Sequence, residues 1–167
     1  MVYDPSLLDR IESLDERPFD GVVWRHMFAG LDVARANTRG ARWNPRGVAA
    51  IYTSLDRGTA LAEGDYVVAS QPVPPRTTRQ LYEVHVTLVR IVELTDRRLL
   101  RELGVTEVDL ESRDHAVCRT VGGACHWLGL DGILVSSARA SGTNLVVFAD
   151  RMDVDAALEV RSREEVE

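Results

Sequence analysis

At 167 residues, with 45% hydrophobic and 28% charged side chains, the chain has the size and apolar content of one compact domain. Its net charge of −6 and pI near 5.3 argue against a nucleic-acid surface, because neutralising phosphates takes a basic face. All 20 basic residues are arginine, which excludes Schiff-base chemistry and leaves guanidinium as the only fixed cation.

The elements follow in chain order. Leu7, Leu8, Ile11 and Leu14 recur at helical spacing and predict an amphipathic helix over residues 5–14. Val22 to Phe28 reads as a strand, Arg42-Trp43 as part of a second extended piece, and Val48 to Thr53 as a third. Asp56 is placed to cap a helix carrying Ala60, Leu61, Glu63, Tyr66 and Val67. The proline-rich segment from Ser70 to Thr78 cannot continue that helix and forms a surface connection. Leu81 to Val89 alternates with period two, as a half-buried strand does. Short and longer helices follow over Asp96–Leu103 and His115–Leu128, closed by Gly104 and Gly129. Two strands, Gly132 to Ser136 and Asn144 to Ala149, complete the core, and Arg161 to Glu167 is expected to be frayed.

Several neighbouring strands are joined too closely for helical crossovers. The expected class is therefore α+β, with an antiparallel or mixed sheet and flanking helices in one domain over residues 1–167. No apolar run reaches the length of a membrane span, and the N-terminus lacks a signal-peptide pattern, so the expected location is the cytoplasm with no membrane partner. Cys118 and Cys125 lie on one helix face as core thiols, and Gly122-Gly123 between them marks close packing. His26, His85, His115 and His126 show no metal-ligand spacing, so no metal is expected and each is assigned a structural role.

The chemistry concentrates between Gly40 and Glu63. Arg42, Arg46 and Arg25 offer planar forks suited to a pyrophosphate. Tyr52 offers an aromatic face for a pyridinium ring, worth ~0.5–2 kcal/mol by cation–π attraction. Glu63 offers a carboxylate to stabilise a cationic ribose. Each has a plain alternative: the tyrosine as strand packing, the glutamate as a solvated helix residue, the arginine as a surface ion pair, and Asn44-Pro45-Arg46-Gly47 as a turn.

Arg42-Trp43-Asn44 with Gly47, Tyr52-Thr53-Ser54, Ala60-Leu61-Ala62-Glu63, and Asp131-Gly132-Ile133 leading into Ser136-Ser137-Ala138 resemble the RES-domain proteins, the toxin half of RES–Xre toxin–antitoxin pairs. The resemblance runs over a core of about residues 22–148. It implies an ADP-ribosyltransferase-like fold that takes NAD as substrate, and a cognate Xre-like helix-turn-helix antitoxin as partner. Carried over, Arg42 is the family arginine, Tyr52 its aromatic residue and Glu63 its glutamate. Ser136 or Ser137 is the serine, with Ser137 favoured because Ser136 stands where relatives carry proline. Arg25 and Asn144 resemble further NAD-binding positions.

Two enzymatic readings and one binding reading remain open at this level. The leading one is consumption of NAD by hydrolysis or phosphorolysis, arresting growth, with Glu63, Arg42, Tyr52 and Ser137 catalytic. The second transfers ADP-ribose to a protein acceptor. The third keeps the pocket for nucleotide binding or partner docking without turnover.

Overall fold

The structure, a computed structural model, describes residues 1–167 with the exception of Ala156. Helix α1 (Pro5–Glu12) leads into strand β1 (Arg17–Phe28), a long loop, β2 (Ala50–Ser54) and helix α2 (Arg57–Ala69). Strand β3 (Arg79–Leu94) is followed by helices α3 (Arg97–Glu102), α4 (Glu107–Glu111) and α5 (Ala116–Trp127). Strands β4 (Gly132–Ser136) and β5 (Thr143–Phe148), a short helix α6 (Val154–Ala157) and β6 (Leu158–Val166) complete the chain.

β3 is the spine of the sheet. Along one edge it pairs antiparallel with β1, from Phe28 opposite Arg79 to Arg17 opposite Ile91. The other edge is divided: Arg79 to Val86 pair antiparallel with β6, and Ile91 to Leu94 pair parallel with β4. β4 continues antiparallel to β5 and β5 to β2, and β2 meets β1 where Ser54 faces Trp24. The sheet is thus mixed, carries helices beside it, and bends back on itself through the β1–β2 contact.

Alternation along the strands separates two apolar clusters. Val146 and Phe148 of β5 pack with Ile11, Val121 and Cys125 on the side of α1 and α5. Leu145 and Val147 face the other way, against Val23, Ile51, Val84 and Leu134. Asp131, just before β4, is structural: its Oδ2 accepts from the amides of Val89 and Arg90 at 2.8 and 2.9 Å and ties β4 to β3.

The structure corrects four expectations. Helix α1 ends at Glu12 with Ser13 as its cap, two residues early. Arg42-Trp43 is not a strand, and α4 is a further short helix, nucleated by a reciprocal cap between Thr106 and Asp109. Residues 161–167 are not frayed at all but for the last, because β3 supplies their hydrogen-bond partners. Ser162 Oγ to Glu83 at 2.8 Å and Arg57 Nε to Glu164 at 2.7 Å add side-chain ties.

Close packing of α5 fixes the loop between β1 and β2. A Cβ on Gly122 would collide with the carbonyl group of Trp43, and one on Gly123 with the Tyr3 hydroxyl, so only glycine lets the helix lie on that backbone. Gly122→Ala is expected to cost about 1–3 kcal/mol through forced displacement of the loop. Urea unfolding measures it, and a midpoint equal to that of the unsubstituted chain would contradict this packing.

Candidate active site

Residues 37–48 cross from β1 to β2 as an irregular loop held by its own hydrogen bonds. Asn44 is fully buried, and its Nδ2 donates to the carbonyls of Asn37 at 3.1 Å and Val48 at 2.8 Å. Its Oδ1 accepts from the Tyr52 hydroxyl at 2.8 Å, and that hydroxyl accepts from the Trp43 amide at 3.0 Å. Burial pushes the Tyr52 phenol far up, so it stays protonated and keeps both bonds at any working pH. Arg119 of α5 donates to the Ala41 carbonyl at 2.8 Å, and Gly40 and Gly47 take positive φ at the two bends.

This loop carries Arg42, whose Nη1 donates to the Leu110 carbonyl at 2.6 Å. The guanidinium also interacts with the buried Cys118 thiol and borders a cleft of about 380 Å³. Arg25, Arg42, Tyr52, Glu63 and Asn144 all line that cleft. Arg46 does not; it is exposed on the turn.

α2 delivers Glu63. Asp56 caps the helix, accepting from the Thr59 amide at 2.8 Å and hydroxyl at 2.7 Å, which also lowers the Asp56 carboxyl. One turn on from Ala60, Gly64 rests on the His26 ring of β1, too close for any side chain, and so seats the helix against the sheet. Glu63 Oε1 accepts from Ser137 Oγ at 2.6 Å and from Asn144 Nδ2 at 2.8 Å. Its Oε2 has no hydrogen-bond partner among the described residues.

Both donors are themselves fixed. Asn144 opens β5, and its Oδ1 accepts from Ser54 Oγ at 2.7 Å. Ser137 Oγ accepts from the amides of Arg139 at 3.0 Å and Ala140 at 3.2 Å, which orients its proton toward Glu63. Ser136, the other candidate serine, lines the cleft without reaching Glu63. Seventy-four positions of sequence therefore separate two side chains in direct contact.

Arg25 is the other notable cation. Its Nη2 donates to the Arg35 carbonyl at 2.6 Å and its Nε contacts Met27 Sδ at 3.0 Å, but Nη1 is fully buried with no hydrogen-bond partner among the described residues. Desolvation pulls its pKa down to about 10, and the nearby Asp32 carboxylate offsets only part of that shift. With Arg139 at the rim, three guanidiniums and one carboxylate line the cleft of an acidic chain.

Sequence reasoning leaves Arg139 unmarked and assigns His26 and His115 structural roles, yet all three line the cleft. Arg139 stacks on Tyr66, 3.3 Å from the ring centroid, and no local motif marks it. His115 also lines the cleft; burial, then Arg42, Arg119 and Arg139, lowers its pKa. Among the described residues no cluster of His, Cys, Asp and Glu has metal-site geometry.

The match to the RES domain model spans residues 9–166. The chain belongs to the RES-domain family. It is 27% identical over 154 residues, 87% of its length, to the NAD(+) phosphorylase MbcT of Mycobacterium tuberculosis and of Mycobacterium bovis, covering 82% of each. Its fold matches a chain in the crystal structure of the M. tuberculosis MbcT–MbcA toxin–antitoxin complex with a TM-score of 0.86. That match covers 98% of this chain and 93% of the other at 24% identity.

Two measurements probe the site's framework. Tyr52→Phe leaves Asn44 Oδ1 and the Trp43 amide unpaired, and is expected to cost about 1–3 kcal/mol in denaturant unfolding. The second concerns pH. His26 and His115 both have folded pKa values below the unfolded value, so the unfolded chain binds more protons and their contribution to stability, present above about pH 6.5, falls as pH drops below it. Replacing both with Gln should flatten the pH dependence of the unfolding midpoint between about pH 7 and 5.5. An unchanged slope would refute that assignment.

Proposed function

We propose that this RES-domain chain, acting as one domain over residues 1–167, cleaves the nicotinamide–ribose bond of NAD and is the toxin of a toxin–antitoxin pair. The observation that carries the reading is the Glu63 carboxylate: two neutral donors hold Oε1, while Oε2 is left without a partner on the wall of an arginine-lined cleft. A carboxylate so held keeps its full charge for a ligand, whereas an arginine partner would cancel it.

In this reading the pyrophosphate lies against Arg25 and Arg42. The buried, unpaired Nη1 of Arg25 gains a partner on binding, which offsets the desolvation it suffers in the empty site. The Tyr52 ring, locked through its hydroxyl, presents its face to the pyridinium. As nicotinamide departs with the C–N electron pair it becomes neutral, and positive charge passes to the ribose, where Glu63 stabilises it. Ser137 and Asn144 hold that carboxylate in place and offer polar contacts to the sugar.

The names of the relatives support the same reading: MbcT is an NAD(+) phosphorylase and its crystal structure is of a toxin–antitoxin complex. Beyond those names, the family resemblance carries the finer reading: a fold of the ADP-ribosyltransferase type, an antitoxin partner with a helix-turn-helix, and growth arrest through consumption of NAD. The cytoplasm, where NAD is available, is also where two unpaired buried thiols, Cys118 and Cys125, persist.

Glu63→Gln keeps shape and hydrogen-bond acceptance at Oε1 but removes the charge. We expect NAD loss, followed by chromatography of nicotinamide, to fall at least about 10²-fold while the circular dichroism spectrum is retained. Undiminished turnover in this variant would remove Glu63 from the chemistry.

A further inference from the structure

β2 ends on Tyr52-Thr53-Ser54, and alternation gives Tyr52 and Ser54 the same face of the strand. Both line the cleft. In the antiparallel ladder Ser54 stands directly opposite Asn144 of β5, so two short polar side chains meet across the strands. Ser54 Oγ donates to Asn144 Oδ1 at 2.7 Å, and Asn144 Nδ2 donates to Glu63 Oε1 at 2.8 Å. Ser54 and Asn144 are both buried, and the Ser54 hydroxyl makes no other hydrogen bond among the described residues.

The direction of each proton in this relay follows from its far end. A carboxylate only accepts, so the amide nitrogen of Asn144 must face Glu63. The amide oxygen is thereby turned to β2, and because it too only accepts, the Ser54 hydroxyl must donate. Donation to the oxygen polarises the amide and strengthens its N–H bond to the carboxylate. The neighbouring Thr53 shows what a hydroxyl with a purely structural task does on this strand: its Oγ1 donates to the Leu145 backbone carbonyl at 2.9 Å and ties β2 to β5. The Ser54 hydroxyl ties no backbone and serves only the side chain that holds Glu63.

We propose that Ser54 is a positioning residue for the Glu63 carboxylate, acting through Asn144: it anchors the amide oxygen so that the N–H edge stays on Oε1 and Oε2 is the oxygen left to the ligand. Its hydroxyl reaches Glu63 only through that amide. Without the hydroxyl the buried Oδ1 has no partner, the amide turns to find one, and Glu63 keeps Ser137 as its only fixed donor. The effect on turnover rests on the NAD-cleaving reading above; the anchoring of the amide does not.

Ser54→Ala in the purified full chain tests both. In an isotope-labelled sample without NAD, the side-chain amide signals of Asn144 are identified by their loss in Asn144→Ala. Those protons should exchange with solvent about tenfold or more faster in Ser54→Ala than in the unsubstituted chain. In turnover, Ser54→Ala should lower kcat about tenfold and shift the KM for NAD by less than about twofold. Because the serine acts through the asparagine, Ser54→Ala placed on Asn144→Ala should lower kcat no further. Ser54→Cys keeps the shape with a weaker donor and should lie between Ser54→Ala and the unsubstituted chain in both measurements. If Ser54→Ala does not fold, the Ser54→Cys values decide by the same criteria.

Unchanged exchange of the Asn144 amide in Ser54→Ala overturns the anchor. Losses that multiply in the double variant give Ser54 an effect of its own and overturn action through Asn144. A rise in the KM for NAD with kcat unchanged makes Ser54 a substrate contact and overturns the proposal equally. NAD turnover that Ser54→Ala leaves undiminished removes the positioning role while NAD cleavage stands. Protection of the Asn144 amide that depends on Ser54, in a chain that leaves NAD intact, supports the anchor and overturns the cleavage reading.

Discussion

The buried amide of Asn44 is the constraint on which the site depends. It spends both amide protons on backbone carbonyls and its oxygen on Tyr52, so one side chain joins the β1–β2 loop to β2. A fully buried polar group of this kind is costly when unpaired, which makes the arrangement nearly all-or-none: the loop is either in this conformation or pays for several lost bonds together. Arg42 and Trp43 are then placed without belonging to any regular element. Gly122 completes the fixation from the other side by letting α5 touch the loop backbone.

Glu63 is placed by a different device. Its helix is seated at one point by Gly64 on His26 and started at a defined residue by the Asp56 cap, so the register of the carboxylate follows from two local contacts. The loop after β4 is drawn onto the same helix, since the Ser137 amide bonds the Gly142 carbonyl at 2.9 Å and Gly142 packs on Thr59. Three segments distant in sequence therefore converge through close backbone approach at glycines. Long flexible side chains reaching across a gap would not hold a carboxylate as firmly, because each would lose rotamer freedom on ordering.

The sequence made the locally encoded parts legible. The Asp56 cap, the alternation of Val84, Val86 and Leu88, and the apolar run of β4 carry their signals within a few residues, and all three lie where the pattern puts them. β6 was not legible, because Arg161 to Glu167 has the composition of a solvated tail and its strand character comes from β3. The four-residue capping pattern from Thr106 to Asp109 was a usable signal for α4, although five residues make a weak helix alone. In the site, Arg42, Tyr52, Glu63, Arg25 and Asn144 were legible through family resemblance and the structure brings them to one cleft. Arg139 and His115 were not, since nothing in their neighbours' identity shows which wall of a cavity a loop residue or a helix cap will face.

Charge in this molecule is organised locally, against its overall balance. An acidic chain repels a dinucleotide at long range, but screening over about 8 Å at physiological ionic strength confines that effect to the surface. Inside the cleft the guanidiniums of Arg25 and Arg42 make no ion pair among the described residues, and Asp32 only partly offsets Arg25, so much of their field remains at the distances that matter for binding. Burial first, then Arg42, Arg119 and Arg139, lowers the pKa of His115, which disfavours a further cation on the cleft wall. Cations for the phosphates and an anion for the sugar are thus held on separate elements, the loop and β1 on one side and α2 on the other. That separation is what lets one cleft attract a polyanion and still stabilise a cation within it.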